Sequence, residues 1–301
     1  MKSLIVILGP TGVGKTELCI QVAKHLNVPI INADSRQIFA ELPIGTAAPT
    51  KEQQQLVKHY FVGSHHITDY YSASMYEQDC LALIEEQFKS SNVALMTGGS
   101  MMYIDAVCKG IDDIPTIDDT TRAWMKARLE TEGLEKLVEE LHELDPEHWA
   151  IVDRNNPRRV VHALEICHMT GKTYTSFRTN TVKARPFNII KIGLNLDREI
   201  LYNRINQRVL QMISDGLEEE ARSVFAQRGL NALNTVGYKE MFSYFDGNID
   251  KAEAIRQIQS NSRRYMRKQL TWFKKDTDIY WNNPDNIEEI INYIDKQLQV
   301  K

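Results

Sequence analysis

Eight consecutive residues, Gly9-Pro10-Thr11-Gly12-Val13-Gly14-Lys15-Thr16, have the types and spacing G-x-x-x-x-G-K-T. Small residues let successive backbone N–H groups converge on one anion, a lysine ammonium adds positive charge, and a threonine hydroxyl is a hard-oxygen ligand for Mg²⁺. The expected ligand is a di- or triphosphate with Mg²⁺ held at Thr16. A second candidate follows in Asp34-Ser35-Arg36-Gln37. Asp34 suits a base or a metal-side carboxylate, and an Asp-Ser pair after a strand equally suits a helix cap or turn, so both uses stay open. Further along, Arg204 and Arg208 lie four apart on one helical face, Arg154, Arg158 and Arg159 cluster near Asn155-Asn156-Pro157, and Arg263, Arg264 and Arg267 crowd one basic segment. Such clusters suit a polyanion, although a solvated surface is the usual place for any one of these cations.

The elements that must position these residues follow from hydrophobic pattern. Leu4 to Leu8 is a continuous apolar run suited to a buried parallel strand, and Glu17 to Leu26 repeats as a helix. Pro29 to Ala33 and Val93 to Thr97 read as further buried strands, with a helix over Ser74 to Phe88 and another through Met102, Ala106 and Val107. Strand and helix alternate, which calls for a parallel α/β sheet with ligands at the strands' carboxyl ends. The strand at 93–97 ends in Thr-Gly-Gly where a motor ATPase would carry a metal-binding Asp, which argues against hydrolysis-driven work. Between Ile111 and about Arg185 only helical periods occur, and Asn188 to Leu194 then resumes the sheet. The expected division is therefore a P-loop core over 1–111 and 186–301 interrupted by an all-helical insertion over 112–185. Helices over Asp197 to Ser214 and Lys251 to Lys275, a short strand at Ile279-Tyr280-Trp281 and a terminal helix complete the pattern. Tyr265, Trp272 and Phe273 are expected chiefly as core contacts. Residues 50–73 show no clear period, and their His65-His66 pair reads as a polar surface loop, because adjacent side chains face apart on a strand or helix.

Composition sets outer limits. A chain of 301 residues with 43% hydrophobic content builds an ample core, and a net charge of −4 leaves nucleic-acid binding to local basic patches. Cys19, Cys80, Cys108 and Cys167 form no C-x-x-C pair, which points to reduced thiols in a cytoplasmic setting. The apolar run after Lys2 is too short for a signal sequence or a membrane span.

Taken in order, GPTGVGKT at 9–16, NADSRQIF at 32–39, LPIGTAAP at 42–49, TGGSMMY at 97–103, NNPRRVVHALE at 155–165, VGYKE at 236–240 and RRYMRKQLTWF at 263–273 resemble the bacterial tRNA dimethylallyltransferases, the isopentenyl-tRNA transferase family, along nearly the whole chain. Two stretches depart from the family pattern. Ser100-Met101-Met102 stands where Thr-Gly-Leu is usual, and His162 where arginine is usual. The resemblance implies transfer of a dimethylallyl group from its diphosphate to the exocyclic amine of the adenine beside the anticodon (position 37), in tRNAs reading codons that begin with U. It implies Asp34 as base, with Lys15 and Arg208 at the leaving diphosphate and Arg204 the second choice, and Gly9 to Thr16 as the diphosphate site. Asp34, Ser35, Arg36, Gln37, Ser100, Arg122, Arg158, Arg159, Val160, Val161, His162, Arg263, Arg264 and Arg267 are the implied tRNA contacts, Ser35 and Gln37 being able to read a base edge. Mg²⁺ is the implied cofactor, and a cytoplasmic monomer away from membranes is expected. A P-loop small-molecule kinase, an isopentenyltransferase acting on free adenine nucleotides and an ATP-switched RNA-binding protein are the competing readings. The first two have no need of the basic 251–275 helix, and the missing metal-binding Asp counts against the third.

Overall fold

In the computed structural model, which describes residues 1–179 and 181–299, the strands are β1 (Ser3–Leu8), β2 (Ile30–Ala33), β3 (His59–Tyr60), β4 (Val93–Gly98), β5 (Asn188–Leu194) and β6 (Ile279–Asn282). They pair in parallel in the order β3-β2-β4-β1-β5-β6, so β1 lies at the centre with β4 and β5 on either side. Every β1 residue is buried, as the apolar run requires of a strand covered on both faces.

Successive side chains of β1 point to opposite faces. Ile5 and Ile7 pack with α1 (Lys15–Leu26), and Leu4, Val6 and Leu8 pack with α3 (Ala73–Gln87) and α4 (Met101–Lys109). Between β2 and α3 lies α2 (Lys51–Leu56), begun by a Thr50–Gln53 capping box, and β3 follows it. Both fall in the 50–73 stretch read as aperiodic: α2 buries no residue and β3 is two residues long, so neither leaves a hydrophobic period. His65 and His66 belong to a loop, with the His66 Nδ1 2.8 Å from Glu41 Oε1 and the His65 ring against Tyr71 at 4.1 Å.

The chain divides into two compact units, 1–109 with 184–301, and 110–183. Among its described residues the second has only helices: α5 (Asp119–Glu132), α6 (Leu134–Leu144), α7 (Pro146–Ile151), α8 (Pro157–Thr170) and α9 (Tyr174–Phe177). Its core gathers Met125, Leu137, Leu141, Val160, Ala163 and Leu164, the last three at helical spacing on α8. Pro157 at the first turn and Gly171 just past the end, with φ 68°, bound α8 as sequence chemistry requires.

The first unit continues after β5 with α10 (Arg198–Ser214), α11 (Leu217–Ser223), α12 (Tyr238–Phe245), α13 (Lys251–Phe273) and α14 (Ile287–Gln299). Asp197 and Asp250 cap α10 and α13, each accepting from a backbone N–H of the first turn. No helix among the described residues is long and apolar enough to cross a membrane.

Candidate active site

The loop from Gly9 to Gly14 leaves the carboxyl end of β1 and becomes α1 at Lys15. Gly14, the N-cap, has φ 101°, a conformation L side chains rarely adopt, and it turns the chain so that the positive end of α1 opens into a cavity. That cavity, about 730 Å³, is lined by Thr11, Lys15, Thr16, Asp34, Arg208 and Tyr265 among others. Six cationic side chains (Lys15, Arg36, Arg208, Lys239, Arg264 and Lys268) and three carboxylates (Glu17, Asp34 and Glu240) line it, a balance suited to an anionic ligand.

The cations are oriented by neutral partners. The Lys15 Nζ donates to the carbonyls of Gly9 and Pro10, both at 2.9 Å. Burial lowers its pKa to about 8, with the Arg208 charge acting in the same direction and Asp34 opposing both. Arg208 donates through Nη1 to Thr11 Oγ1 at 3.5 Å and through Nη2 to the Ala47 carbonyl at 3.3 Å. Burial lowers the pKa of Arg208 and Asp34 raises it again. Arg204, the second choice for a leaving-group arginine, donates instead to the Val13 carbonyl at 3.4 Å and is not among the residues that line the cavity.

Asp34 follows β2 directly, and both readings of it turn out to be compatible. Its Oδ1 accepts from Arg36 N at 2.9 Å and Gln37 N at 3.4 Å, which makes it a turn residue, while its Oδ2 accepts no hydrogen bond from any described residue. Ser100 Oγ accepts from Ser35 N at 2.8 Å and donates to Ser35 Oγ at 3.1 Å, tying the β2 and β4 ends together. At the β4 end, where a motor ATPase would hold its metal-binding Asp, Thr97 Oγ1 donates to the Ile7 carbonyl and accepts from Cys19 Sγ. For Mg²⁺ the cavity offers the Thr16 hydroxyl at the start of α1, one of several hard-oxygen donors in its lining, which fits this ion together with phosphate oxygens and water.

Several candidates sit differently from expectation. Gln37 spends both hydrogens of its amide on the carbonyls of Thr46 and Ala47, at 3.1 and 3.0 Å, so it braces a loop and keeps only its amide oxygen for a base edge. Arg36 donates to the carbonyls of Asn231 and Ala232. The three arginines grouped on α13 divide by face: Arg264 lines the cavity, whereas Arg263 donates to Asn206 Oδ1 and Arg267 donates to the Tyr202 hydroxyl at 2.7 Å. Tyr265 is 37% exposed in the cavity wall and Trp272, 40% exposed, donates to Asp105, so of the three aromatics expected in the core only Phe273 is there.

In the helical unit Val160 is fully buried in that unit's core and offers no surface to RNA, and Val161 is partly buried against it. Helical phase explains both: they lie between Arg158, Arg159 and His162, whose side chains face outward or are half-exposed. Arg122 lies on α5 of the same unit.

Sequence reasoning missed Gln269. Its buried amide accepts from Thr11 N at 2.9 Å and donates to the Gly99 carbonyl at 2.8 Å, joining the phosphate loop to the end of β4. A lone glutamine in a basic helix gives no local signal. Its partners are 258 and 170 residues away in sequence.

A parallel sheet with a phosphate loop at the carboxyl end of its central strand, flanked by helices and interrupted by a helical unit, defines a P-loop-type α/β protein. The IPP transferase family model matches residues 37–276, and the chain belongs to that family. It is 58% identical to tRNA dimethylallyltransferase 1 of Bacteroides fragilis over 298 residues, 99% of each chain. The crystal structure of the full-length tRNA isopentenylpyrophosphate transferase of Bacillus halodurans superposes with a TM-score of 0.73 at 34% identity, covering 99% of this chain and 97% of that one. A eukaryotic dimethylallyltransferase acting on tRNA shares the fold, with a TM-score of 0.77 at 23% identity over 96% of this chain and 75% of that one.

Proposed function

We propose that the chain transfers a dimethylallyl group from dimethylallyl diphosphate to the exocyclic amine of adenine 37, beside the anticodon, in tRNAs that read codons beginning with U. The observation that carries this reading is the single cavity in which a phosphate loop, two oriented cations and a carboxylate with one uncommitted oxygen meet. An ATP-hydrolysing machine would need a metal-binding carboxylate at the β4 end, where Thr97 is turned inward. A small-molecule kinase would need neither Arg264 and Lys268 at the wall nor a helical unit carrying Arg122, Arg158, Arg159 and His162, the residues that would hold tRNA phosphates.

The adenine amine is a weak nucleophile because its lone pair is delocalised into the ring, so alignment and proton removal are what the site supplies. The new bond forms between that nitrogen and the terminal allyl carbon as the carbon–oxygen bond to diphosphate breaks, and the amine proton passes to Asp34 Oδ2. Diphosphate leaves into the amides of the 9–16 loop, with Lys15 and Arg208 balancing its growing charge. Bound Mg²⁺, held by the Thr16 hydroxyl with diphosphate oxygens and water, would neutralise part of that charge. The target base leaves its stack to reach Asp34, and the exposed ring of Tyr265 offers it a surface.

Four buried free thiols fit a cytoplasmic setting. Single-turnover transfer of labelled donor to an unmodified anticodon stem-loop, without ATP, tests the reaction. Label should enter the RNA with the parent and fall by roughly 10²–10⁴-fold with Asp34→Ala, the range for a lost general base, while donor binding persists. No transfer by the folded parent, with ATP turnover stimulated by a small acceptor, would overturn the reading.

A further inference from the structure

The signature VGYKE at 236–240 has no chemistry in the reaction above, yet Tyr238 is fully buried. Its hydroxyl donates to Glu220 Oε1 at 2.6 Å. The same carboxylate accepts from Gly45 N at Oε1 and from Ile44 N at Oε2, both at 2.8 Å. Three donors from two distant segments thus converge on one side chain of α11, and charge-assisted bonds of this kind are about twice as strong as neutral ones. The approach is close: a Cβ on Gly45 would lie 2.6 Å from the Tyr238 Oη, so only glycine fits there.

The segment held in this way meets Arg208 of α10. From Ile44 and Gly45 the chain passes to Thr46 and Ala47, whose carbonyls accept from Gln37 Nε2, and Ala47 O also accepts from Arg208 Nη2. Ala47 has φ 47°, a left-handed conformation that costs a non-glycine residue energy and persists only when its surroundings impose it. Those surroundings are Glu220 on one side and Gln37 on the other. Among the described residues the guanidinium has one other anchor, Thr11 Oγ1 at 3.5 Å.

We infer that Glu220 is a positioning residue for the reaction: by clamping Ile44, Gly45 and Tyr238 it holds the Ala47 carbonyl where that carbonyl can aim Arg208 at the diphosphate. Glu220 touches no reacting atom and acts through Arg208. The inference rests on the proposed role of Arg208 at the leaving group.

The test is a double-mutant cycle with Glu220→Gln and Arg208→Ala, read by calorimetric binding of inorganic diphosphate and by single-turnover transfer. Glutamine keeps the size of Glu220 but loses the charge and turns an N–H₂ towards groups that need an acceptor. Expected are a tenfold or greater loss of both diphosphate affinity and transfer rate with Glu220→Gln, tRNA affinity changed less than twofold, and less than a twofold further loss when Arg208 is already alanine. Equal losses in both Arg208 backgrounds, or a loss confined to tRNA affinity, would show that Glu220 serves the fold alone and overturn the inference. Where Glu220→Gln lowers the melting temperature too far to assay, Tyr238→Phe removes one oxygen from the clamp and takes its place in the cycle, with an expected loss of about threefold that vanishes in Arg208→Ala. A parent that binds no diphosphate overturns the inference outright, whereas a parent that binds diphosphate but transfers nothing to RNA overturns only the reaction.

Discussion

Three cations of the cavity and two ion-paired arginines elsewhere in the chain are held by different chemistry. Arg185 donates to Glu77 at 2.6 Å with both side chains only 8% exposed, and Arg128 of the helical unit is bracketed by Glu132 and Glu140. Lys15, Arg36 and Arg208 make no ion pair among the described residues; carbonyls and a hydroxyl hold them. A carboxylate partner fixes a cation and cancels its charge, whereas a neutral acceptor fixes it and leaves the charge to the ligand. The first arrangement suits a fold, and the second would prepare a site for an anion before it arrives.

The comparison breaks most visibly if the two kinds of arginine are removed in turn. Arg208→Ala should lower single-turnover transfer about 10²–10³-fold, the range for losing one preorganised donor, while the melting temperature stays close to the parent's. Arg185→Ala should do the reverse. It breaks the buried ion pair with Glu77 and should cost about 3–5 kcal/mol of stability by denaturant unfolding, with transfer per folded molecule nearly unchanged.

Lys15 sharpens it through pH. Burial sets its pKa at about 8, so the ammonium persists below that value and is lost as pH rises through it. A diphosphate binds the charged form, so affinity for inorganic diphosphate should be level below about pH 8 and fall up to tenfold for each unit above it, with proton uptake on binding. Lys15→Met should bind weakly and flatten that dependence. The smallest effect is at the rim: Arg264→Ala should reduce the slope of log affinity for tRNA against log salt by about 1, and Arg128→Ala should leave the slope unchanged.

The phosphate loop was legible because its meaning is local: glycines, lysine and threonine within eight residues, between a buried strand and a helix. Asp34 was legible by position, and that its turn commits only Oδ1 needed the geometry. The pairing of Arg208 with the cavity was half legible. Four-residue spacing put it on a face with Arg204, but the choice between them depends on Ala47 and Thr11, which α10 meets only in the folded chain. Gln269, Glu220 and Tyr238 were illegible for the same reason, their partners lying far off in sequence. Phase decides which α13 arginine lines the cavity and which α8 residue turns into the core. Arg263 and Arg264 are adjacent but point about 100° apart, and Val160 turns into the core beside two exposed arginines.

The most direct test of the central claim is calorimetric binding of inorganic diphosphate with Mg²⁺ at pH 7 to the parent, Arg208→Ala and Arg128→Ala. If neutrally held cations form the anion site, affinity falls tenfold or more with Arg208→Ala and is unchanged with Arg128→Ala. Equal affinity in the parent and Arg208→Ala would contradict it.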